Sequence, residues 1–275
     1  MEVISLFLII GTFVGFLAGL LGIGGGIILV PVLSFIFPKI GLPITFVMQV
    51  SLGTSVACTF FSMLSSSIGH FKHGKINLNI YYKLLPGLII GAILGPFIAH
   101  SLDYNSLKNI FALLLFLISI KILFEDIIKR KINNKKVTNE NNTKKKFHDN
   151  IWLLILLGIA IGTISALIGI GGGILLLSLF SFMEIKMKEA VGTAAICGVT
   201  ISFIAIIGYI ISGLNTIPSN ELYMGYVYIP AVVSISLTSV ILAQISAYWS
   251  QKIPSKNLKR LLSCILIFTA GRMFW

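Results

Sequence analysis

Eight long apolar runs constrain this chain more than any other feature of its sequence. A run of about 20 apolar residues spans the hydrocarbon core of a bilayer. Only 11% of the residues are charged, whereas a soluble domain carries about a quarter. The sequence therefore predicts an all-α polytopic membrane protein with about eight transmembrane helices and the lipid bilayer as its solvent. The apolar runs cover roughly residues 3–37, 42–71, 80–101, 106–124, 151–182, 189–214, 222–248 and 257–275.

A polar stretch, 126–150, divides the chain nearly in half. Loops rich in Lys and Arg are typical of the cytoplasmic side of a membrane. We therefore expect this loop to be cytoplasmic and the protein to lie in the bacterial cytoplasmic (inner) membrane. The net charge of +12 then indicates a solvated loop, and we expect no nucleic acid partner. The basic residues of the loop are Lys129, Arg130, Lys131, Lys135, Lys136, Lys144, Lys145 and Lys146.

The two halves of the chain resemble each other. Residues 11–30 (GTFVGFLAGLLGIGGGIILV) align with 158–177 (GIAIGTISALIGIGGGILLL), with ten identities in twenty. A second block, 53–74, aligns with 192–213 and begins with Gly-Thr in both halves. Internal repeats are typical of transporters, whose substrate site lies where the repeats meet. The predicted division is a first transmembrane repeat, 1–125, a basic cytoplasmic loop, 126–150, and a second transmembrane repeat, 151–275.

The number of crossings in each repeat depends on its first segment. As one helix, 3–37 would be about 50 Å long, against a core of about 30 Å, so we expect its GIGGG run to break it. If each half crosses four times, the 21 Lys and Arg residues divide 13 to 8 between the two sides. If the broken segment turns back, the repeats are inverted and the 21 divide 18 to 3. The positive-inside rule favours inverted repeats with both termini outside.

The GIGGG runs are the first candidate site. Three successive glycines weaken a helix, and lipid tolerates a break only inside protein or beside a watery cavity. The helix that restarts after the break presents free N–H groups and a positive dipole end, which suit an oxyanion. The alternative is close packing between helices through small residues; we expect that role for Gly11, Gly15, Gly158 and Gly162. The candidate binding residues are Gly22, Gly24, Gly25 and Gly26 in the first run and Gly169, Gly171, Gly172 and Gly173 in the second.

A second repeated pair lies on the following segment of each half. Thr54 and Cys58 match Thr193 and Cys197, and the spacing of four residues places Thr and Cys on one helix face. In a binding site, the hydroxyls would donate to the substrate and the thiols would line its path. Alternatively, each Thr hydrogen-bonds to its own helix and each Cys acts as a small buried apolar residue.

The distribution of carboxylates favours an anion as the substrate. All nine Asp and Glu residues fall in predicted loops or at segment ends, whereas cation pumps keep carboxylates at membrane depth. The three cysteines have no metal-ligand spacing, so we expect no metal site and no cofactor. No Ser-His-Asp arrangement, GxSxG or HExxH is present, so no residue is predicted to be catalytic and the protein is not expected to be an enzyme.

The duplicated G-x₃-G…GIGGG pattern, with Gly-Thr opening the next segment, resembles the sulfite exporter TauE/SafE family, also called 4-toluene sulfonate uptake permeases. The resemblance covers nearly the whole chain, and GGGIILVPVL at 24–33 is similar to the first motif of the family. Ser178 stands in the second half where Pro31 stands in the first, a departure from the symmetry. The resemblance implies transport of sulfite, sulfonates or related organosulfur anions, in either direction, and supplies no set of substrate ligands.

The sequence thus predicts a secondary transporter that holds a small anion between the two GIGGG breaks and works by alternating access. An anion channel with the same site is one alternative. A membrane scaffold or receptor that acts through the basic loop is another. The sequence leaves the direction of transport, the coupling ion and the oligomeric state, including a homo-oligomer, open.

Deletion of 132–146 separates the transporter from the scaffold. Transport by the two repeats should continue at a rate close to that of the parent, because the deleted residues lie between the repeats. Recruitment of a partner through the loop should be lost. Loss of transport in a variant that is still folded and inserted would contradict the transporter prediction.

Overall fold

The protein is α-helical throughout most of its length. The computed structural model describes residues 2–21, 25–71, 76–134, 150–214, 216, 222–250 and 255–274. Within these ranges lie ten α-helices, a 3₁₀ turn at Phe37–Ile40 and a small β-hairpin of β1 (Tyr223–Met224) and β2 (Val227–Tyr228). The helices are α1 (Glu2–Leu21), α2 (Gly26–Ile36), α3 (Ile44–Phe71), α4 (Leu78–Ser101), α5 (Tyr104–Asn134), α6 (Ile151–Ile168), α7 (Gly173–Phe182), α8 (Met187–Gly213), α9 (Ile229–Ser250) and α10 (Ser255–Phe274).

The helices have the length and surface of membrane spans. Large apolar side chains face outward, among them Trp152, Phe268 and Ile9 at 78%, 71% and 67% exposure, as lipid contact requires. This confirms an all-α membrane protein. Of the described residues, five stretches are long and apolar enough to cross a bilayer: Ile44–Ile68, Leu78–Ser101, Tyr104–Ile122, Ile151–Ile168 and Glu189–Gly213.

Two elements differ from the outlines of the apolar and polar runs. The apolar run 222–248 does not begin as a helix: its first residues form the β-hairpin, because Gly225 takes a positive φ of 56° and Pro230 favours a helix start one residue before it. The helix α5 continues to Asn134, nine residues into the predicted loop 126–150. Lys, Arg and Ile are compatible with a helix that extends beyond the membrane. The remainder of that loop, 135–149, lies outside the described residues.

Each GIGGG run interrupts its helix, as the sequence predicts. The first interruption separates α1, which ends at Leu21, from α2, which begins at Gly26. The second separates α6, which ends at Ile168, from α7, which begins at Gly173. With 11 and 10 residues, α2 and α7 are only about 15 Å long and cannot cross a core of about 30 Å.

The first broken segment returns to the end of the bundle from which it started. The ring of Phe7, near the start of α1, lies 5.9 Å from the ring of Tyr228. The ring of Phe37, just after α2, lies 5.7 Å from the same tyrosine. We call this the hairpin end, because the β-hairpin lies there. The end of α4 is also there, since His100 Nδ1 is 2.9 Å from the Tyr226 hydroxyl.

The second broken segment starts at the opposite end of the bundle. Gly87 and Gly95 of α4 pack on Ile155 and Ala166 of α6, so these two helices run in the same direction. The start of α6 therefore lies near the start of α4, away from the hairpin end. We call this the linker end, because Asn134 and Asn150 flank the central stretch there.

The end of α7 lies at the linker end as well. Four residues join α7 to α8. The start of α8 adjoins the start of α4, because the backbone N–H of Asn77 donates to Thr193 Oγ1 over 2.9 Å. The second broken segment therefore begins and ends at the linker end.

Glycines bring helices from the two halves into backbone contact. Gly15 packs on the backbone of Ser239, and Gly11 on that of Ile235, which joins α1 to α9. Gly158 and Gly162 pack on Gly87 and Gly91, which joins α6 to α4. The predicted packing role of Gly11, Gly15, Gly158 and Gly162 is therefore confirmed.

We expect Gly91→Ala to lower the stability of the protein by about 1–3 kcal/mol. The new Cβ would lie against Ile159 O and 2.7 Å from Thr163 N, both of them backbone atoms that cannot rotate away. Gly271→Ala is the matched control, because a Cβ there meets nothing within 4 Å and alanine is favoured in a helix by about 1 kcal/mol. Thermal unfolding in detergent gives the melting temperatures of both variants. Equal melting temperatures would contradict the close packing of Gly91 on α6.

Candidate binding site at the helix breaks

The two helix breaks meet in the buried centre of the protein. Gly26, the first residue of α2, packs directly on the carbonyl group of Gly169, the residue that ends α6. A Cβ added at Gly26 would also lie 2.6 Å from Thr59 Oγ1 of α3. Only a residue without a side chain fits at this crossing. The helix α2 begins at this contact, and α7 begins at Gly173, four residues after Gly169.

Two hydroxyls of α3 hold the breaks together. Ser55 Oγ lies 3.1 Å from Gly26 O and 3.1 Å from Gly169 O, and its proton is shared between these acceptors. Thr59 Oγ1 donates to Ser55 O at 2.8 Å and also lies 3.3 Å from Gly169 O. Both side chains are completely buried. They satisfy the carbonyl oxygen of Gly169, which follows the end of α6 and which lipid would leave without a partner.

The second break is described in full, and its backbone is suited to close approach by another group. Gly169, Gly171 and Gly172 all have positive φ angles, of 73°, 66° and 82°, a region that a side chain disfavours. The N–H groups of Gly169 and Ile170 donate back to Ser165 O, which closes the end of α6. Gly172 precedes α7 and has no side chain, so this N-cap residue does not supply the usual capping oxygen.

The Ser165 side chain lies beside this uncapped helix start. Its hydroxyl is completely buried and has no hydrogen-bond partner. It lies 3.2 Å from the point where a Cβ on Gly172 would be. Ser202 Oγ and the Thr59 methyl carbon each lie 2.8 Å from the point where a Cβ on Gly171 would be. The hydroxyls of Ser202 and Thr59 donate to Gly198 O and Ser55 O, respectively.

The described interior carries no formal charge. Among the described residues, no Lys, Arg, His, Asp or Glu side chain is buried; apart from Tyr and Cys, the buried polar side chains are Ser, Thr and Gln. Asp103 lies in the link between α4 and α5, where hydrogen bonds from Ser106 and the backbone of Asn105 lower the pKa of its carboxyl group. Across the same ranges, no three His, Cys, Asp or Glu residues come together as a metal site would require.

The predicted glycines are brought together where they can be described. Gly26 packs on the second break, Gly25 precedes α2 with a positive φ of 74°, and Gly169, Gly171, Gly172 and Gly173 form the second break. Gly22 and Gly24 lie outside the described residues. Their role in binding a substrate stays a prediction.

The structure gives the predicted threonines other partners. Thr54 Oγ1 accepts the backbone N–H of Tyr228 over 3.1 Å, which fastens α3 to the β-hairpin. Thr193 Oγ1 donates to Glu189 O at 2.7 Å and accepts from Asn77. Cys58 and Cys197 are buried. The geometry of Thr193, Cys58 and Cys197 matches the structural alternative, whereas Thr54 bonds to the β-hairpin and not to its own helix. A role of these four residues in substrate binding stays a prediction.

Sequence reasoning missed Ser55, Thr59 and Ser165. Ser55 and Thr59 each follow a candidate residue, Thr54 and Cys58, by one position. Selecting only residues that repeat in both halves excluded them, since Ala194 and Gly198 occupy the matching positions of the second half. The signal that could have found them is their spacing of four, which places both on one face of α3.

The fold is that of a polytopic membrane protein, and known proteins identify the class as membrane transporters. A probable membrane transporter protein of Haemophilus influenzae is 31% identical over 271 residues, which cover 98% of each chain. A probable membrane transporter protein of Methanocaldococcus jannaschii is 30% identical over 268 residues, covering 96% of this chain and 92% of the relative. These names point to a transporter and not to an enzyme. No solved structure matches the chain.

The family model described as sulfite exporter TauE/SafE matches residues 7–273. The chain therefore belongs to the TauE/SafE family, as its glycine motifs predict. The protein is an integral membrane transporter that resides in a lipid bilayer.

Ser55→Ala tests the hydroxyl that joins the breaks. The carbonyls of Gly26 and Gly169 would lose a donor in a buried place, and we expect a loss of about 1–3 kcal/mol of stability. The control is Ser178→Ala, because the Ser178 hydroxyl bonds only to Ile174 O of its own helix; its change should stay within about 0.5 kcal/mol. Thermal unfolding in detergent compares them, and an equal effect of both substitutions would contradict the bridging role of Ser55.

Proposed function

We propose that this protein is a secondary transporter of small oxyanions, namely sulfite, sulfonates or related organosulfur anions. One observation carries the proposal: two short helices begin at breaks that meet in a buried, uncharged, hydroxyl-bearing centre. Helix N-termini bind anions through free N–H groups and a positive dipole. The family description supports sulfur oxyanions as the substrate class.

Inverted repeats would place this site at the interface between them, where access would alternate between the two sides of the membrane. The helix pairs support such repeats, because α1 packs along α9 and α4 packs along α6. Exchanging the two halves turns one pair into the other. The first broken segment returns to the hairpin end and the second to the linker end, which is what an inversion of one half relative to the other produces.

The distribution of basic residues supports the orientation of the protein. Lys39 follows α2, Lys108 lies in the first turns of α5, and Arg272 lies near the end of α10, with its guanidinium carbon 5.8 Å from the Phe35 ring. These three belong to the hairpin end. Among the described residues, Lys83 near the start of α4 and Lys186 just before α8 belong to the linker end. The sequence division of the 21 Lys and Arg residues into 18 and 3 under inverted repeats agrees with this arrangement. The positive-inside rule then makes the linker end cytoplasmic and the termini external.

Hydroxyls along α3 would form one wall of the path. Ser51, Ser55, Thr59, Ser62 and Ser66 follow one another at spacings of four or three, so they lie on one side of the helix. Ser51, Ser55 and Thr59 are completely buried, Ser62 is half-buried and Ser66 is exposed. The increase in exposure supports a path from the breaks toward the linker end.

Alternating access follows from these parts. An oxyanion that enters from one end binds near the helix breaks, and the two repeats then rock to expose it to the other end. Because the centre carries no carboxylate, a coupled proton would travel on the substrate or through water. Such proton coupling would need no residue of the centre to change its charge.

Uptake of labelled sulfite, taurine and acetate into proteoliposomes tests the proposal. The parent should transport at least one of them with saturation and counterflow, which a channel does not show. Gly25→Leu and Gly172→Leu should reduce the rate at least tenfold, because side chains at these positions block the approach to the first turns of α2 and α7.

Gly271→Leu is the control for these substitutions, since its site is open and distant from the breaks. It should transport like the parent. Only variants that elute as monodisperse protein are compared. Full transport by both break variants would refute the site, and absence of all anion uptake by the parent would refute the function.

A further inference from the structure

We infer that the oxyanion binds asymmetrically, at the start of α7, where the Ser165 hydroxyl and the first N–H groups of α7 together contact it. This inference rests on the proposed function and names a residue of its binding site. The ligand it predicts carries at least two acceptor oxygens on one centre, as sulfite, a sulfonate or a carboxylate does.

The state of the Ser165 hydroxyl points to an absent acceptor. A buried hydroxyl without a partner is destabilising, so native proteins rarely keep one unless a ligand or water completes it. Four other buried side-chain atoms share this state, at Gln49, Ser51, Ser212 and Ser236. Only Ser165 among the five lies at a helix break. The neighbouring hydroxyls of Ser55, Thr59 and Ser202 all donate to backbone carbonyls.

The start of α7 supplies the other donors. The first N–H groups of a helix have no partner within it, and Gly172 offers no capping side chain. An oxygen atom placed over Gly172 would therefore meet N–H groups from the helix and the hydroxyl from Ser165. Such convergence of neutral donors binds an anion without a buried cation, which suits an interior without charge.

Apolar side chains fill the space beside Gly172. A Cβ on Gly172 would lie 2.7 Å from Ile201 Cδ1 and 3.1 Å from Leu176 Cδ1. Both are the ends of flexible apolar side chains, which rotate more easily than backbone atoms move. These two side chains would have to turn aside for a ligand oxygen to reach the donors.

A hydroxyl at the position of Ser165 occurs in the second half only, as the alignment of the two halves shows. In the alignment of 11–30 with 158–177, Ser165 matches Ala18. The first break therefore has no equivalent hydroxyl at that position. A carrier with two related half-helices would then hold its ligand closer to α7 than to α2.

The test compares Ser165→Ala with the reciprocal Ala18→Ser. For the anion that the parent transports, Ser165→Ala should raise KM about tenfold or more, because a hydrogen bond to a charged group is lost. The maximal rate should change little. Ala18→Ser should leave KM unchanged.

Thermal unfolding in detergent, without and with sulfite, taurine or acetate, separates binding from structure. Without an anion, Ser165→Ala should melt at the same temperature as the parent or higher, since it removes an unsatisfied buried hydroxyl. The stabilisation by the bound anion should shrink or vanish in this variant and persist in Ala18→Ser.

Three results would overturn the inference. One is an unchanged KM together with an unchanged anion-induced shift in Ser165→Ala. Another is a lower melting temperature of the anion-free variant, which would show that the hydroxyl is structural. The third is the absence of any thermal shift in the parent with the three anions. Transport by the parent with an unchanged KM in Ser165→Ala would refute the asymmetric site alone and leave the proposed function intact.

Discussion

The requirement that every backbone polar group in a membrane find a partner governs this fold. An unbroken helix meets it alone, whereas a helix broken within the bilayer must be completed by its surroundings. Here the carbonyls exposed at the breaks are completed by Ser55 and Thr59, and each break packs on the other. Neither broken segment is therefore stable by itself. The two halves fold as one unit because each supplies what the other lacks.

This mutual dependence explains why helices exchange partners between the halves. Glycines on α1 and α4 remove the side chains that would hold the backbones apart, so α9 and α6 can pack at van der Waals distance. The long first helix of each broken segment packs along a helix of the other half, and the short second helix packs on the next helix of its own half. A transporter gains from this arrangement, since irregular backbone inside a membrane is tolerated only where protein or a cavity surrounds it.

Much of the fold could be predicted from apolar runs, glycine runs and the positions of basic residues. The breaks, the packing glycines and the family all follow from local sequence or from its repetition. The β-hairpin at 223–228 and the extension of α5 to Asn134 could not, because apolar content does not report φ angles and polar content does not exclude a helix. Ser55, Thr59 and Ser165 were not predicted, because only residues that occur in both repeats were considered. A residue that contributes to a site in a duplicated protein can occur in one repeat only.

The contact between the two breaks has a consequence for the energy of opening the protein. The first residue of α2 packs on the carbonyl group that follows α6, so the positive end of one helix lies against the negative end of another. In a medium of low polarity the attraction between these partial charges is only weakly screened. Any motion that separates the halves at this point must supply that energy.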